Sequence, residues 1–351
     1  MNRHLIMIFL ITSNLCYSQL LINEIVSSNS NGYTDNFEED NDWVEIYNAS
    51  DSSINMGGMY FTDNLINGNL FQIPDNQPNE TTIGAGSFLI FWFDKDPEQG
   101  PLHVDCKLNS AGEQVGLYLS DSTIIDTITF LKQRTNISYG RNPNQNNIWH
   151  FFSDPTPNGE NITLAYEGII NETPEFSING GFYNNLINIF INNQIEGTIH
   201  YTTDGSNPNI SSDILLDSLE ISSTTIIRAK IFKIGFIESS TITHTYFLNE
   251  LFETRDLPVF SISSNPGYFW DQDTGIYVQD FKPSWEYPIN IELFEEDGNL
   301  AFNRAATIKI AGDLSWQLPQ KMLSISLEKN IKYPLIDNFN RREYNSFNLR
   351  A

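Results

Sequence analysis

A chain of 351 residues, 40% hydrophobic, 13% aromatic and 18% charged, has the composition of folded protein and the length of two or three domains, each able to bury its own core. Asp and Glu number 44 against 19 Lys and Arg, a formal net charge of -25. Such a surface repels nucleic acid and anionic lipid, and the few basic residues are too scattered to form the stripe that either partner needs, so nucleic-acid binding is excluded.

The chain opens with MNRHLIMIFLITSNLCYSQ: Arg3 in a short basic start, an apolar stretch from Leu5 to Leu15, and small residues at Cys16 and Ser18. This predicts a secretory signal peptide over residues 1–18, with a mature chain beginning at Gln19. The apolar run is shorter than the roughly 20 residues that cross a bilayer, and no later stretch is long enough, so no membrane span is expected after cleavage. Leu15 stands where a lipoprotein signal has a small residue, so no lipid is expected on the mature chain. Cleavage leaves Cys106 alone, which rules out an intramolecular disulfide in an oxidising compartment. Within HVDCKL, Cys106 is expected as a small buried hydrophobe.

Beyond the signal, apolar residues recur at a spacing of two in WVEIYN, SFLIFWF, QVGLYLS, TIIRAKIF and INIELFEE, and Gly, Asn, Asp and Pro clusters separate the runs. This predicts antiparallel β-sandwiches. No segment before residue 250 sustains helical spacing. Pro-bearing joints at residues 153–161, 171–176 and 254–260 divide the chain into three blocks.

In the first block, residues 19–162, Trp43, Ile46, Phe88, Ile90 and Trp92 are the inward candidates, with turns at Gly57-Gly58 and Gly84. The acidic run DNFEEDND, Asp35 to Asp42, lacks the one-three-five spacing and the Gly of a calcium loop and is expected as a solvated loop. In order along this block, LLINEIVSSN, DWVEIYNAS, MGGMYFTDN, IGAGSFLIFWFD, KLNSAGEQVGLYLSD, IIDTITF, SYGRNPN and PTPNGEN resemble the lamin-tail domain of secreted bacterial proteins. That resemblance implies an immunoglobulin-like β-sandwich.

Residues 163–173 read as a linker to a second block, 174–248. Here GTIHYTTDGSNPNISS places Asp204-Gly205 between strand-like runs, the signal of a tight hairpin with both central residues at positive φ. With TTIIRAKIFKIGFIESS and THTYF, the block resembles the chitobiase/hexosaminidase C-terminal-like β-sandwich that is also appended to fucosidases, an accessory module in those enzymes. Tyr201 and Tyr246 are candidate sugar faces, and packing is the expected role for both.

The third block, 249–351, carries LPVFSISSNPGYFWDQDTGIYV, WEYPINIELFEEDGNLAFNRAATIKIAGDLSWQLPQKMLSISL, YPLID and SFNLRA. These resemble the amino-terminal part of the spore-coat-protein-H-like (CotH) kinases, secreted relatives of the protein-kinase fold. The resemblance implies an incomplete α+β kinase-like lobe after two immunoglobulin-like sandwiches in a mainly β chain. The sequence departs from the family where Arg-Gly and Pro-Lys-Lys-Ser are usual, with Ala311-Gly312 and Pro319-Gln320-Lys321-Met322 in their place. Lys321, read as part of an alternating strand, is then the candidate nucleotide-phosphate contact. By the same resemblance the chain stops within the kinase domain and lacks a complete active site. ATP and Mg²⁺ are expected only for a complete parent, and Asp313 and Asp337 fall in no recognisable metal-binding position.

His4, His103, His150, His200 and His244 lie far apart in sequence, so no metal site is expected, and no nucleophile elbow, Walker loop or dinucleotide fingerprint is present. The expectation is a secreted or cell-surface modular protein whose sandwiches bind or position it on an extracellular protein or glycan. An adhesion or envelope scaffold without phosphotransfer is the alternative.

Overall fold

The computed structural model describes residues 19–66, 70–249, 257–278, 284–312, 317, 319–335 and 343–350. The expected signal peptide, Asp313 and Asp337 lie outside these residues. The chain divides into two compact units, Met1–Ile169 and Ile170–Ala351. Both are mainly β, and no helix among the described residues is long and apolar enough to cross a membrane.

In the first unit the chain forms β1 (Leu20–Val26), β2 (Trp43–Asn48), β3 (Ile54–Asn55), β4 (Tyr60–Thr62) and β5 (Phe71–Gln72). A single turn of helix, α1 (Pro78–Thr81), precedes β6 (Thr82–Ile83), β7 (Phe88–Phe93), β8 (His103–Val104) and β9 (Gly112–Tyr118). Then come β10 (Ile124–Leu131), β11 (Ser138–Asn142), β12 (Ile148–Phe152), β13 (Ala165–Tyr166) and β14 (Gly168–Ile169). A seven-stranded sheet in the order β13-β12-β11-β1-β2-β7-β8 faces a four-stranded sheet in the order β10-β9-β4-β5. Their shared core holds Ile22, Ile46 and Phe91 from the first sheet and Val115, Leu117 and Phe130 from the second. Phe61 of β4 meets Phe91 and Phe93 of β7 across it, with ring centroids 4.9 and 5.4 Å apart in edge-to-face geometry. This is a β-sandwich.

The pleat decides what each strand residue meets. Register pairs Trp43 with Trp92, Val44 with Phe91, Glu45 with Ile90 and Ile46 with Leu89. Successive side chains point to opposite faces, so Val44, Ile46 and Phe91 enter the inter-sheet core while Trp43, Ile90 and Trp92 form a separate buried cluster with Val26 on the other face. Of the five inward candidates, therefore, only Ile46 lies between the sheets; Phe88 is half-buried and stacked on Tyr47 at 4.8 Å. The reason is coverage, because the outer face of this sheet is itself roofed by the β1–β2 loop and by residues 153–161. A strand buried on both faces is apolar at nearly every position, and alternation alone then misassigns its sides.

The linker expected at 163–173 is partly built into each unit. Ala165–Tyr166 pairs with β12, and Ile170 is buried in the core of the second unit.

The second unit begins with β15 (Glu175–Phe176), β16 (Gly181–Tyr183), β17 (Ile187–Asn192), β18 (Thr198–Thr202) and β19 (Asp213–Ile214). It continues through β20 (Ser218–Ile221), β21 (Thr225–Phe232), β22 (Phe236–Ile237) and β23 (Ile242–Leu248). Sheets β15-β17-β20 and β16-β23-β21-β18-β19 enclose Ile189, Ile191, Ile227, Ala229, Ile231 and Tyr246. Asp204-Gly205 does not make the expected two-residue hairpin. Strands β18 and β19 pair from His200 with Ile214, so ten residues, 203–212, connect them, and of the pair only Gly205 has positive φ, at 85°. The Asp204 side chain instead closes a local turn by accepting from the Ser206 amide at 2.9 Å.

Packed on this sandwich is a five-stranded antiparallel sheet of β24 (Val259–Ser263), β25 (Tyr287–Phe294), β26 (Leu300–Ile310), β27 (Leu323–Lys332) and β28 (Glu343–Leu349), each strand beside the next in sequence. The five-residue helix α2 (Pro266–Trp270) follows β24; Pro266 takes its first position and Asn265 caps it by accepting from the Gly267 amide. Strand β25 is buried on both faces. Ile289, Ile291 and Leu293 join the sheet's own core, while Glu292 and Phe294 face the sandwich, where Phe294 meets Phe182 and Phe247 edge-on at 5.8 and 5.6 Å.

Candidate functional site

Strand β7 ends at Phe93, and the chain returns through residues 95–102 to lie parallel to itself as β8, with Trp92 opposite His103 and Phe93 opposite Val104. That return sets Asp94 and His103 side by side, 6% and 8% exposed, with Nδ1–H of the imidazole donating to Asp94 Oδ2 at 2.6 Å. The other Asp94 oxygen accepts from the Asp96 amide at 2.9 Å. From the β1–β2 loop comes Asp35, whose Oδ1 accepts from the amides of Phe37 and Glu39 at 2.7 and 2.9 Å. Its Oδ2 is closed off from solvent and meets no hydrogen-bond donor. One ligand atom from each of Asp35, Asp94 and His103 lies within 4.8 Å of the others. Phe37 stands edge-on to the His103 ring at 5.8 Å, and Glu39 Oε2 accepts from Gln99 Nε2 at 3.1 Å, joining the loop to the return segment.

The acidic run is thus only in part the expected solvated loop: Asp35 is half-buried, and at the far end burial pushes the Asp42 carboxyl up to about 6. The motif was visible in the sequence, but its convergence with Asp94 and His103 was not, because sequence spacing carries no signal for a contact made through sheet pairing.

Beside this seam opens a cleft of about 450 Å³ walled by Tyr33 and Trp43 and floored by Asn29, Asn136, Ser153 and Asp154. Tyr33 is stacked on Trp92 at 5.8 Å and accepts from Asn158 Nδ2 at its hydroxyl, yet remains 40% exposed.

Two glutamates also lie on the outer face, fully buried. A bulge in β1 places the extra residue, Asn23, between Ile22 and Glu24, and Glu24 then pairs with Glu45 of β2. Glu24 accepts from the Ser138 hydroxyl and from the amide and hydroxyl of Thr156, and Glu45 accepts from Asn23 Nδ2 and the Asn158 amide. Together they tie the Pro-rich segment to the sheet. Burial raises Glu24 to about 7; burial, and to a lesser degree the neighbouring Glu24 charge, raises Glu45 to about 8. Both are sealed by protein donors, which makes them structural.

In the second unit Glu292 is likewise buried. It accepts from the Thr245 hydroxyl and from Asn303 Nδ2 at 3.2 Å, and burial raises it to about 7. His244 Nδ1 stands 3.9 Å away but accepts from the Gly180 amide at 3.1 Å, and burial lowers this histidine to about 4, so it is neutral.

Lys321 does not lie in a strand. It precedes β27 by two residues, is 8% exposed, and holds its ammonium 5.7 Å from the centroid of the Tyr277 ring. A cleft of about 550 Å³ in the same block, lined by Phe260, Glu295, Glu296, Asp297 and Tyr333, does not include it. Tyr201 is half-buried and Tyr246 is core, its hydroxyl donating to the Ile178 carbonyl at 2.7 Å.

Two family models match the chain: Lamin Tail Domain over residues 16–132, and Chitobiase/beta-hexosaminidase C-terminal domain over residues 178–244. The chain is modular, with these two domains in succession. Strands β11, β12 and β13 lie beyond the first match but complete the same seven-stranded sheet. No curated protein matches the chain.

Proposed function

We propose that this is a secreted or cell-surface protein whose two sandwiches bind or position it on an extracellular protein or glycan, and whose third block belongs to a CotH-type kinase domain of the complete parent. The observation that carries the binding role is the cleft beside Tyr33, which is 40% exposed and stands near Ser153 and the carboxylate of Asp154, with Trp43 buried behind it. An exposed aromatic ring with polar groups beside it suits a neutral, hydroxyl-bearing or amide-bearing ligand, and the net charge of -25 disfavours an anionic one. The carboxylates most displaced by burial, Glu24, Glu45 and Glu292, are occupied by internal donors and offer no acid–base pair to a substrate.

The test is binding of the whole chain to a glycan array and to extracted envelope proteins. Saturable retention that falls in Tyr33→Ala supports the reading; equal retention by the variant, or none by either, refutes it.

A scaffold without phosphotransfer is favoured by one observation, the packing of Lys321 against Tyr277 outside the acidic cleft of its block. Labelled ATP with Mg²⁺ decides between them on the parent protein. Labelling lost in Lys321→Ala supports the kinase assignment, and labelling that is absent or indifferent to Lys321 supports the scaffold.

A further inference from the structure

We infer that Asp35, Asp94 and His103 form a binding site for a divalent transition ion of the Zn²⁺ class, which clamps the β1–β2 loop to the β7–β8 return. Three separate stretches of chain each supply one donor, and the donor atoms already lie within 4.8 Å of one another. Ligand atoms about 2.0–2.2 Å from a tetrahedral Zn²⁺ stand roughly 3.3 Å apart, so side-chain adjustments of an ångström or so complete the set.

A second observation points to the ion independently of the clustering. Asp35 Oδ2 is cut off from water and from every donor, although the partner oxygen of the same carboxylate takes two backbone amides. Buried acceptors are normally satisfied, and one left bare in an otherwise ordered turn marks the place of a missing electropositive group. Gln99, in the return segment and bonded to Glu39 of the loop, has its own Oε1 buried without a partner. The ion takes the place of the proton between His103 Nδ1 and Asp94 Oδ2, and His103 binds it as the neutral imidazole with its one proton on Nε2.

The donor set selects the metal. One imidazole nitrogen with two carboxylate oxygens suits Zn²⁺ and its neighbours, whereas Ca²⁺ and Mg²⁺ take all-oxygen shells of six or more. A water fills the fourth position, as in other three-ligand zinc sites. Two carboxylates balance the ion's charge, and the surrounding acidic field draws it in.

The experiment uses the untagged mature chain stripped with chelator. Isothermal titration is expected to show one Zn²⁺ per chain, with a rise in the melting temperature, and Co²⁺ is expected to give the visible absorption of a four-coordinate nitrogen–oxygen site. Asp35→Asn keeps the Oδ1 contacts to the loop amides, so it folds; its Zn²⁺ affinity is expected to drop about tenfold or more, the scale on which even an outer-sphere partner matters. Glu38→Gln, in the same loop but outside the cluster, is expected to bind like the natural chain. Absence of Zn²⁺ binding, equal affinity in Asp35→Asn, or tighter binding of Ca²⁺ than Zn²⁺ overturns the assignment.

Discussion

Glu24 and Glu45 face each other on adjacent strands at zero exposure, and their protonation ties local packing to pH. In the fold they titrate at about 7 and 8 against an ordinary 4.5, so between those limits the folded chain holds protons that the unfolded chain has released. Their contribution to stability is therefore fully present below about pH 4.5 and is lost as pH rises through 7 to 8. Melting temperature is expected to fall between pH 5 and pH 8.5. Glu24→Gln keeps an acceptor for the Thr156 amide and presents its NH₂ to the Ser138 hydroxyl, so it is expected to flatten that decline; an unchanged slope would remove Glu24 as its source. Cys106 is a second residue-scale case. At 2% exposure, burial and then the charges of Asp63, Glu113 and Asp105 hold its thiol far above the ordinary range. Iodoacetamide at pH 8 is expected to leave it unmodified in the native chain and to add one label at Cys106 in urea, as read by peptide mass; stoichiometric native labelling would contradict the packing. The buried cysteine was legible in HVDCKL because a lone Cys in an alternating run has few other roles. The buried glutamates were not, since a carboxylate on the polar side of a strand reads as solvated until something covers it.

At the scale of single elements, Gly205 shows how a turn is fixed from outside. Its φ of 85° asks for glycine, and a Cβ there would fall 2.6 Å from the Ser264 carbonyl oxygen. Its own carbonyl accepts from Arg228 Nη1 at 2.8 Å. Gly205→Ala is expected to destabilise by about 1 kcal/mol or more, and by more than Gly86→Ala, where φ is 63° but nothing lies within 4 Å of the added methyl. Denaturant midpoints of the two variants make the comparison, and equal losses would reduce the Gly205 effect to backbone conformation alone. The sequence marked Asp204-Gly205 as a turn, yet it lies within a ten-residue connection instead of a tight hairpin, with Gly205 close against Ser264, which follows β24. Strands fared better than turns, because a period of two survives wherever one face is dry.

At the scale of the second compact unit, the chitobiase-like sandwich and the sheet after it share the buried contacts of Glu292. Glu292→Ala would remove the acceptor shared by the Thr245 hydroxyl and Asn303 Nδ2, leaving them their other partners, Ser261 Oγ at 2.7 Å and the Thr243 carbonyl at 2.6 Å, at a cost of about 0.5–1.5 kcal/mol for each hydrogen bond lost. Hydrogen exchange is expected to speed up in β23 and β25 together; faster exchange in β25 alone would mean that the two sheets are not coupled through this carboxylate. The sequence by itself determined a mainly β, modular chain and the burial of Cys106. Those follow from local alternation, turn chemistry and composition, which each segment carries wherever it is placed. The tertiary structure alone decided that β2 and β7 are dry on both faces, that Lys321 packs on Tyr277 ahead of its strand, and that Asp35 meets Asp94 and His103. These depend on which loop roofs which sheet and on register between strands distant in sequence, and no periodicity within one segment encodes a contact that a second segment must supply.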